Sequence, residues 1–424
     1  MTPGRLDGPT PGRPDAQTPG RPDAQTPDPG AERDPGVVVT ARGAERWKQG
    51  HPWIYRSDVA EEPDKHPGIV RVRDRRGRFL GQALYSPASE IRLRLLTTGE
   101  EPIDAGWWRE RIAAAARRRS GITATAWRAV HAEGDGLPSL IVDKYGPWVV
   151  AQLLSAGLER ARADVLAGIR EALQPQGVLL RHDATVRRHE GLPLAVEPVS
   201  GDVPEVVEVV EDGVRYLAAP RTGQKTGAFL DQRENRLLVG RHTREGGRAL
   251  DLFTYHGSFA VHLARRAASV LAVDQSADAL ARGAENARLN DLSNISWREA
   301  NAFDLLRELE RQGERFDTIV LDPPAFAKSK TAVPRAIAGY KEVNLRAMRI
   351  LAEDGILFTS SCSYHVSREL FLAMLTDAAR DAGRGIELLA VRGAASDHPE
   401  LLTVPETGYL KGAVLRRTGF QGAS

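Results

Sequence analysis

The C-terminal half of the chain alternates short apolar runs with amphipathic helical stretches, and this rhythm constrains the fold more than any other feature. Apolar runs separated by helical stretches are typical of βαβ units, whose strands pair in parallel with helices on both faces. The pattern therefore predicts an α/β fold with a Rossmann-like, doubly wound sheet. Its strands are expected at 249–253, 269–273, 295–298, 318–321 and 356–359, with helices at 258–266, 277–289, 303–312 and 340–351.

Composition divides the chain into an extension and three domains. The N-terminal segment repeats the octapeptide TPGRPDAQ and has almost no large apolar side chains, which predicts a disordered Pro- and Gly-rich extension. Short strands follow, then a mixture of helix and strand, and then the doubly wound sheet. We place the extension, the β-rich domain, the central α+β domain and the sheet domain at 1–36, 37–105, 106–220 and 221–424, respectively.

The β-rich domain carries an excess of positive charge. Seven arginines and two acids lie between Arg71 and Arg94, and the alternation in IRLRL at 91–95 predicts that arginines share one face of a strand. Such a face suits the phosphates of RNA, although a solvated surface explains it equally well.

Composition also excludes several classes of protein. The chain has one cysteine, which excludes an internal disulfide and a cysteine-based zinc site and fits a reducing compartment. No apolar run approaches the roughly 20 residues that span a bilayer, and the N-terminus lacks the apolar stretch of a signal peptide. The ten histidines show no metal-ligand spacing. We therefore expect a cytoplasmic protein without a membrane span or a metal.

Polar residues at successive predicted strand ends indicate a nucleoside site. The first strand-to-helix turn, DLFTYHGSF at 251–259, holds one glycine, so the GxGxxG fingerprint of a dinucleotide site is absent. Asp274 ends the next strand, where an acid can accept from both ribose hydroxyls, and Asn301 follows the third, where it could meet the adenine amine. A nucleoside site without a phosphate cradle favours S-adenosylmethionine, because this molecule carries no phosphate. Each of these residues alone could equally be structural or cap a helix.

A second group of polar residues indicates the reaction site. Asp322 begins a stiff Asp-Pro-Pro loop after the fourth strand, and Cys362 stands between two serines after the fifth. A thiolate that adds to C6 of cytosine makes C5 nucleophilic enough to attack a methyl sulfonium, and Asp322 would hold the base. The plainer interpretations are a rigid loop and a small buried cysteine, the usual state of a lone cysteine.

Several motifs make the chain resemble the RlmI-type 23S rRNA cytosine-C5 methyltransferases from about residue 37 onward. They are GHPWIY at 50–55, EGDGLP at 133–138, GQKTGAFLDQR at 223–233, SCS at 361–363, DHP at 397–399 and GYLKG at 408–412. The resemblance implies that 37–105 form a PUA domain, an RNA-binding β-barrel, and that 221–424 form the methyltransferase domain. It also implies S-adenosylmethionine as cofactor, 23S rRNA as partner and Cys362 as nucleophile.

The same resemblance assigns contacts with the cofactor. These contacts are expected from Lys225, Phe229, Asp231, Arg233, Phe253, Gly257, Asp274, Asn301 and Asp322. The chain departs from the family pattern in three places: Asn301 replaces an acid, Tyr364-His365 replaces Gly-Leu, and Ala325 replaces Lys or Thr.

We expect an enzyme that forms 5-methylcytidine in 23S rRNA through a covalent adduct between Cys362 and C6, with Asp322 as its catalytic partner. Three alternatives stay open. A guanine methyltransferase of a related branch shares the Asp-Pro-Pro-x-Phe loop and Ser329-Lys330 but needs no thiol. A non-enzymatic RNA-binding or assembly factor would not bind the cofactor, and a small-molecule methyltransferase would not need a basic domain. The oligomeric state is open, with a homodimer among the options.

Overall fold

The computed structural model describes residues 36–63, 66–327 and 329–419. The predicted disordered extension, 1–36, lies outside these residues except for Gly36. Every helix within the described ranges is too short or too polar to cross a membrane.

The β-rich domain is a six-stranded sheet with one helix. Its elements are β1 (Val37–Val39), α1 (Ala41–Lys48), β2 (Trp53–Tyr55), β3 (Val59–Glu61), β4 (Gly68–Asp74), β5 (Phe79–Tyr85) and β6 (Ile91–Thr97). The strands pair in the order β2-β6-β5-β4-β1-β3, and all pairs are antiparallel except β1 with β4. Trp47 of α1 packs with Val37, Ile54 and Leu93 in the buried core of this domain, which fixes the helix on the sheet.

The prediction of an open basic surface at 91–95 is wrong. Arg92 and Arg94 are buried, because each has a carboxylate partner. Arg92 Nε donates to Glu62 Oε1 at 2.7 Å, and Arg94 Nη2 donates to Glu190 Oε1 at 2.8 Å. Alternation shows which residues share a face, but it does not reveal that carboxylates from other segments of the chain cover that face. The exposed arginines lie instead in the turn between β4 and β5, at Arg75, Arg76 and Arg78.

The central domain is a five-stranded sheet with helices and a separate hairpin. Its elements are α2 (Ala105–Arg117), β7 (Ala126–His131), β8 (Leu140–Tyr145), β9 (Trp148–Leu153), α3 (Ala156–Arg160), α4 (Arg162–Leu173), β10 (Gly177–Arg181), α5 (Val186–His189), β11 (Val196–Ser200), β12 (Val207–Glu211) and β13 (Val214–Ala218). The sheet order is β11-β10-β9-β8-β7, and β12 pairs with β13. Trp108 of α2 packs with Val142 and Val165 in the core between helices and sheet.

The C-terminal domain is a seven-stranded sheet with helices on both faces. Its elements are α6 (Arg233–His242), β14 (Arg248–Leu252), α7 (Ser258–Ala264), β15 (Ser269–Asp274), α8 (Ala277–Leu289), β16 (Ile295–Glu299), α9 (Ala302–Arg311), β17 (Phe316–Leu321), α10 (Val333–Ile350), β18 (Leu351–Ser361), α11 (Arg368–Ala382), β19 (Ile386–Arg392) and β20 (Lys411–Arg417). The order is β16-β15-β14-β17-β18-β20-β19, with β20 antiparallel to both neighbours. This confirms the predicted α/β sheet and adds an antiparallel strand that the rhythm did not reveal.

The strand order determines where on the sheet a ligand-binding crevice forms. The chain moves outward from β14 to β16 on one side and then crosses to β17 on the other side of β14. A crevice forms at such a reversal, outside the carboxyl ends of the parallel strands. The two faces of the sheet have separate apolar cores, so the strand ends are held rigidly on both sides.

Candidate active site

A cavity of about 430 Å³ opens at the carboxyl ends of β14, β15, β17 and β18. It lies at the reversal of strand order, where open α/β sheets bind ligands. The structure brings seven of the ten residues selected from the sequence to this cavity: Lys225, Phe229, Asp231, Phe253, Asp274, Asp322 and Cys362.

Three residues that line the cavity have left-handed backbone conformations. The φ angles are 55° at Lys225, 64° at Phe253 and 51° at Tyr255, and none of these residues is glycine. Such conformations cost about 1–3 kcal/mol each and persist only where the surroundings impose them. Their concentration around one cavity indicates a functional site.

Asp231 offers an acceptor that no group in the described part of the chain uses. Its Oδ2 accepts from the Lys225 ammonium and, at 2.7 Å, from the Tyr409 hydroxyl. Burial would raise the pKa of Asp231, but the Lys225 ammonium overcomes it and holds the pKa well below its usual range. Its Oδ1 is buried without a hydrogen-bond partner. A buried carboxylate oxygen without a donor fits a ligand that carries an ammonium group.

Asp274 stands at the end of β15 with both carboxylate oxygens anchored. Oδ2 accepts from the Tyr255 backbone N–H at 2.9 Å, and Oδ1 accepts from the Ser276 backbone N–H at 3.0 Å. Each oxygen keeps a further lone pair, so the fixed carboxylate can accept from two neighbouring hydroxyls of a ribose.

The aromatic residues complete a nucleoside-sized enclosure. Phe229 and Tyr255 meet edge to face with ring centroids 5.4 Å apart, and Phe253 lies on the cavity wall between β14 and α7. The residues present therefore fit S-adenosylmethionine, with Asp274 for the ribose and Asp231 for the amino group.

Asp322 is held by two donors from different elements. Gln232 Nε2 donates to Asp322 Oδ1 at 2.8 Å, and the Ser360 hydroxyl donates to the same oxygen. Burial raises the pKa of Asp322, and the Asp231 carboxylate raises it further. Because both donors use Oδ1, the other oxygen is left for a ligand. A carboxyl group with a raised pKa can also keep a proton and donate it.

Cys362 follows the last residue of β18 and shares the cavity with Asp322. Its side chain is partly exposed, so it is not a core hydrophobe. Burial and the Asp322 carboxylate raise the pKa of the thiol, while the Lys225 ammonium lowers it. The thiol is therefore accessible but mainly protonated at neutral pH in the free protein.

Lys411 is a buried amine beside the segment that carries Cys362. It pairs with Ser361 across β18 and β20, and its Nζ donates to the backbone oxygens of Ser363 and Tyr409, both at 2.7 Å. Burial lowers its pKa to about 8, and the charge on Cys362 acts in the opposite direction. The antiparallel β20 thus brings a cation within electrostatic range of the thiol.

Three of the residues selected from the sequence do not line the cavity. Arg233 is buried in an ion pair with Asp397, with Nη1 2.8 Å from Oδ2. Gly257 precedes α7 with φ of 75°, and a Cβ there would collide with the Trp297 ring. Asn301 is exposed and caps α9 by accepting from the Phe303 backbone N–H at 2.9 Å. Their predicted cofactor contacts stay predictions.

The structure also brings in residues that the sequence did not single out. Gln232 and Ser360 hold Asp322, Tyr409 holds Asp231, and Tyr255 lines the cavity. Gln232 and Tyr409 lie within recognised motifs, which was the available signal. Ser360 carried none, because its role depends on the pairing of β18 with β17. Among the described residues, no group of three His, Cys, Asp or Glu side chains could hold a metal.

Comparisons with known families identify two regions of the sequence. Residues 37–98 match the PUA-like domain family, and residues 130–413 match the family of S-adenosylmethionine-dependent methyltransferases.

Full-length relatives extend this likeness. Ribosomal RNA large subunit methyltransferase I of Salmonella arizonae is 37% identical over 391 residues, which cover 89% of this chain and 97% of the relative. The protein of the same name from Escherichia coli K12 is 37% identical, with 89% and 98% covered.

Solved structures show the same fold. A protein assigned as a SAM-dependent methyltransferase from Streptococcus mutans superposes with a TM-score of 0.77 at 20% identity, covering 90% of this chain and 99% of that one. A methyltransferase solved in complex with SAH gives the same TM-score, identity and coverage.

Proposed function

Because this chain belongs to the S-adenosylmethionine-dependent methyltransferases, in the group of the ribosomal RNA large subunit methyltransferases I, we propose that it methylates cytosine C5 in 23S rRNA. The observation that carries the proposal is the shared cavity of Cys362 and Asp322, which also holds the residues suited to the cofactor. An enzyme with this substrate acts in the cytoplasm, where ribosomes are assembled.

The cofactor supplies an electrophilic methyl group on a sulfonium. Asp274 would hold its ribose and Asp231 its amino group, as the anchored and unpartnered oxygens of these residues suggest. The protein's contribution is to fix the methyl group and the target base in one geometry, which removes much of the entropic cost of their meeting.

Cys362 acts as the nucleophile toward the base. Its sulfur bonds to C6 as the C5–C6 double bond opens, and the electron pair moves to C5, which bonds to the methyl carbon while the carbon–sulfonium bond breaks. A base then takes the C5 proton, the double bond re-forms, and the thiolate leaves. Lys225 and Lys411 favour the thiolate that starts this sequence, since both place positive charge near Cys362.

Asp322 would hold the base through N3 or the exocyclic amine, with the carboxylate oxygen that Gln232 and Ser360 leave free. Nucleophilic addition at C6 increases electron density at N3, and a carboxyl group with a raised pKa can share a proton with it. Gln232 and Ser360 keep this carboxyl group in place through Oδ1. This role would account for the burial of Asp322 beside a second acid.

The decisive experiment traps the adduct. We expect 23S rRNA transcribed with 5-fluorocytidine to form a denaturation-resistant complex with the protein in the presence of S-adenosylmethionine, because fluorine at C5 cannot leave as a proton does. Cys362→Ala should abolish both the complex and methylation of unmodified rRNA. Cys362→Ser, a near-isosteric control, should also lose the complex and methylation but should bind S-adenosylmethionine normally.

The outcome separates the alternatives. Cys362→Ala that still methylates rRNA would support a guanine methyltransferase, in which the thiol has no role. A wild-type protein that binds rRNA without binding S-adenosylmethionine in calorimetry would support an assembly factor. Mass spectrometry of the rRNA identifies the methylated base in the first case and should find no new methyl group in the second.

A further inference from the structure

A second cavity is lined by the residues that follow Cys362 in the chain. It has a volume of about 530 Å³, and we call it the Tyr364 groove. It begins two residues beyond Cys362 and is bounded by the start of α11, the loop before β20 and the first residue of β20. Its lining residues include Lys330, Tyr364, His365, Arg368, Glu406 and Lys411.

Tyr364 presents its ring to solvent within this groove. It is 55% exposed, and it is the one aromatic residue among the large apolar side chains that stand exposed in the described part of the chain. His365 meets the ring at 83° with centroids 5.1 Å apart, so it supports the ring through an edge-to-face contact. A single exposed ring is common on protein surfaces, but one that a neighbouring ring supports two residues from Cys362 offers a face on which a flat partner can stack.

The groove also borders the β-rich domain. Partial burial of the Tyr364 hydroxyl raises its pKa to about 12, and Glu406 and Tyr55 of strand β2 contribute to this. Glu406 in turn lies 3.2 Å from His51 Nε2. The groove therefore lies where the PUA-like domain meets the sheet that carries Cys362.

We propose that Tyr364 stacks on an unpaired RNA base next to the target nucleotide, which makes it a positioning residue for the reaction. The inference rests on the proposed function, because a base that Cys362 attacks must first leave its stack. Its neighbour then loses a stacking partner. Two residues of chain span at most about 7 Å, so Tyr364 is within reach of that neighbour.

The charges of the groove favour a base over a phosphate. Arg368 is already paired with Glu400, with Nη2 2.9 Å from Oε2, and Glu369 and Glu406 add negative charge. Lys330 and Lys411 offset these acids, so the groove has no net positive charge to attract a phosphate, whereas the edge of a base can use donors and acceptors together. Stacking on aromatic side chains is the usual way in which proteins bind unpaired bases.

The test compares Tyr364→Ala with Tyr364→Phe. Loss of one stacked base should raise the KM for rRNA about tenfold or more and leave kcat at saturating rRNA within about twofold. Tyr364→Phe, which keeps the ring, should restore the KM. Leu388→Ala is the matched control, because Leu388 is 49% exposed on β19 and lies outside the groove. Binding of S-adenosylmethionine, measured by calorimetry, should be equal in all four proteins.

A direct probe uses 23S rRNA transcribed with 5-iodouridine, irradiated in complex with the protein. Cross-linking to Tyr364, located by peptide mass spectrometry, supports stacking. An unchanged KM in Tyr364→Ala, together with cross-links at other residues only, would overturn the stacking inference. Methylation of rRNA by the wild-type protein would still support the proposed function in that case. A wild-type protein that neither methylates nor cross-links to rRNA would overturn both.

Discussion

Arg233 Nη1 donates to Asp397 Oδ2 at 2.8 Å, and both side chains are buried. The same carboxylate oxygen accepts from the Arg128 backbone N–H at 2.9 Å, and Arg119 donates to the Asp397 backbone oxygen at 2.8 Å. Asp397 thus joins α6 of the methyltransferase sheet to the central domain. The pair explains why an arginine stands at the end of the GQKTGAFLDQR motif without lining the cavity.

Replacing this arginine should destabilise the protein. We expect Arg233→Ala to lose about 3 kcal/mol or more of unfolding free energy, because Asp397 would remain buried without its charged partner. Urea unfolding followed by tryptophan fluorescence measures the loss. Arg241→Ala, an exposed arginine on the same helix, should change it by less than about 0.5 kcal/mol. A stable Arg233→Ala protein with a weakened affinity for S-adenosylmethionine would instead favour the predicted cofactor contact.

Asp274 should determine cofactor affinity. We expect Asp274→Ala to raise the Kd for S-adenosylmethionine about tenfold or more, since hydrogen bonds to a charged group contribute about 1.5–3 kcal/mol. Isothermal titration calorimetry measures this. Asp278→Ala is the control, because Asp278 is an exposed acid in the first turn of α8. Equal affinities in the two variants would exclude Asp274 from the ribose site.

The reactivity of Cys362 should depend on the charges around it. Burial and Asp322 raise the thiol pKa above its usual value of 9.0, so alkylation by iodoacetamide should be slow at pH 7 and accelerate as the pH rises. Asp322→Asn removes an anion, which lowers the thiol pKa and speeds the reaction at pH 8. Lys225→Met removes a cation and slows it.

The chain offers a clean background for that measurement. Cys362 is the only cysteine in the sequence, so Cys362→Ser reports any reaction elsewhere. A native thiol that resists alkylation at every pH would contradict the accessible nucleophile that the proposed mechanism requires.

Glu211 should make the stability of the protein depend on pH in the acidic range. Burial would raise its pKa, but the Arg236 guanidinium, bonded at 2.8 and 2.6 Å, lowers it to about 2. The folded-state pKa is below the unfolded value, so the stabilisation is present above about pH 4.5 and is lost as the pH falls toward about 2. Glu211→Ala should flatten this part of the stability profile and cost about 3–5 kcal/mol at pH 7.

A neighbouring glutamate on the same strand supplies the comparison. Glu208 is paired with Arg215 at the surface, and exposed pairs contribute little. Thermal unfolding of Glu208→Ala should therefore stay close to wild type at pH 7. Similar losses of stability in the two variants would show that burial does not make the Glu211 pair more stabilising than an exposed pair.

Local patterns predicted the parallel part of the sheet and the polar groups at its strand ends. Helix α8 has the predicted bounds, 277–289, since its apolar spacing and the Ser276 cap are both local signals. Asp274, Asp322 and Cys362 share one cavity because the carboxyl ends of parallel strands meet at one edge. The burial of Arg92 and Arg94 could not be predicted, because it depends on carboxylates supplied from other segments.

The sequence by itself determined the α/β class, the strand-end residues and the lone thiol, because strand–helix rhythm and residue chemistry are local properties of a chain. Only the tertiary structure decided which groups act together. It inserted β20 between β18 and β19, which brought Lys411 beside Cys362, and it paired Arg233 with a residue 164 positions away. Contacts at such separations depend on how domains pack, and no local pattern in the sequence encodes them.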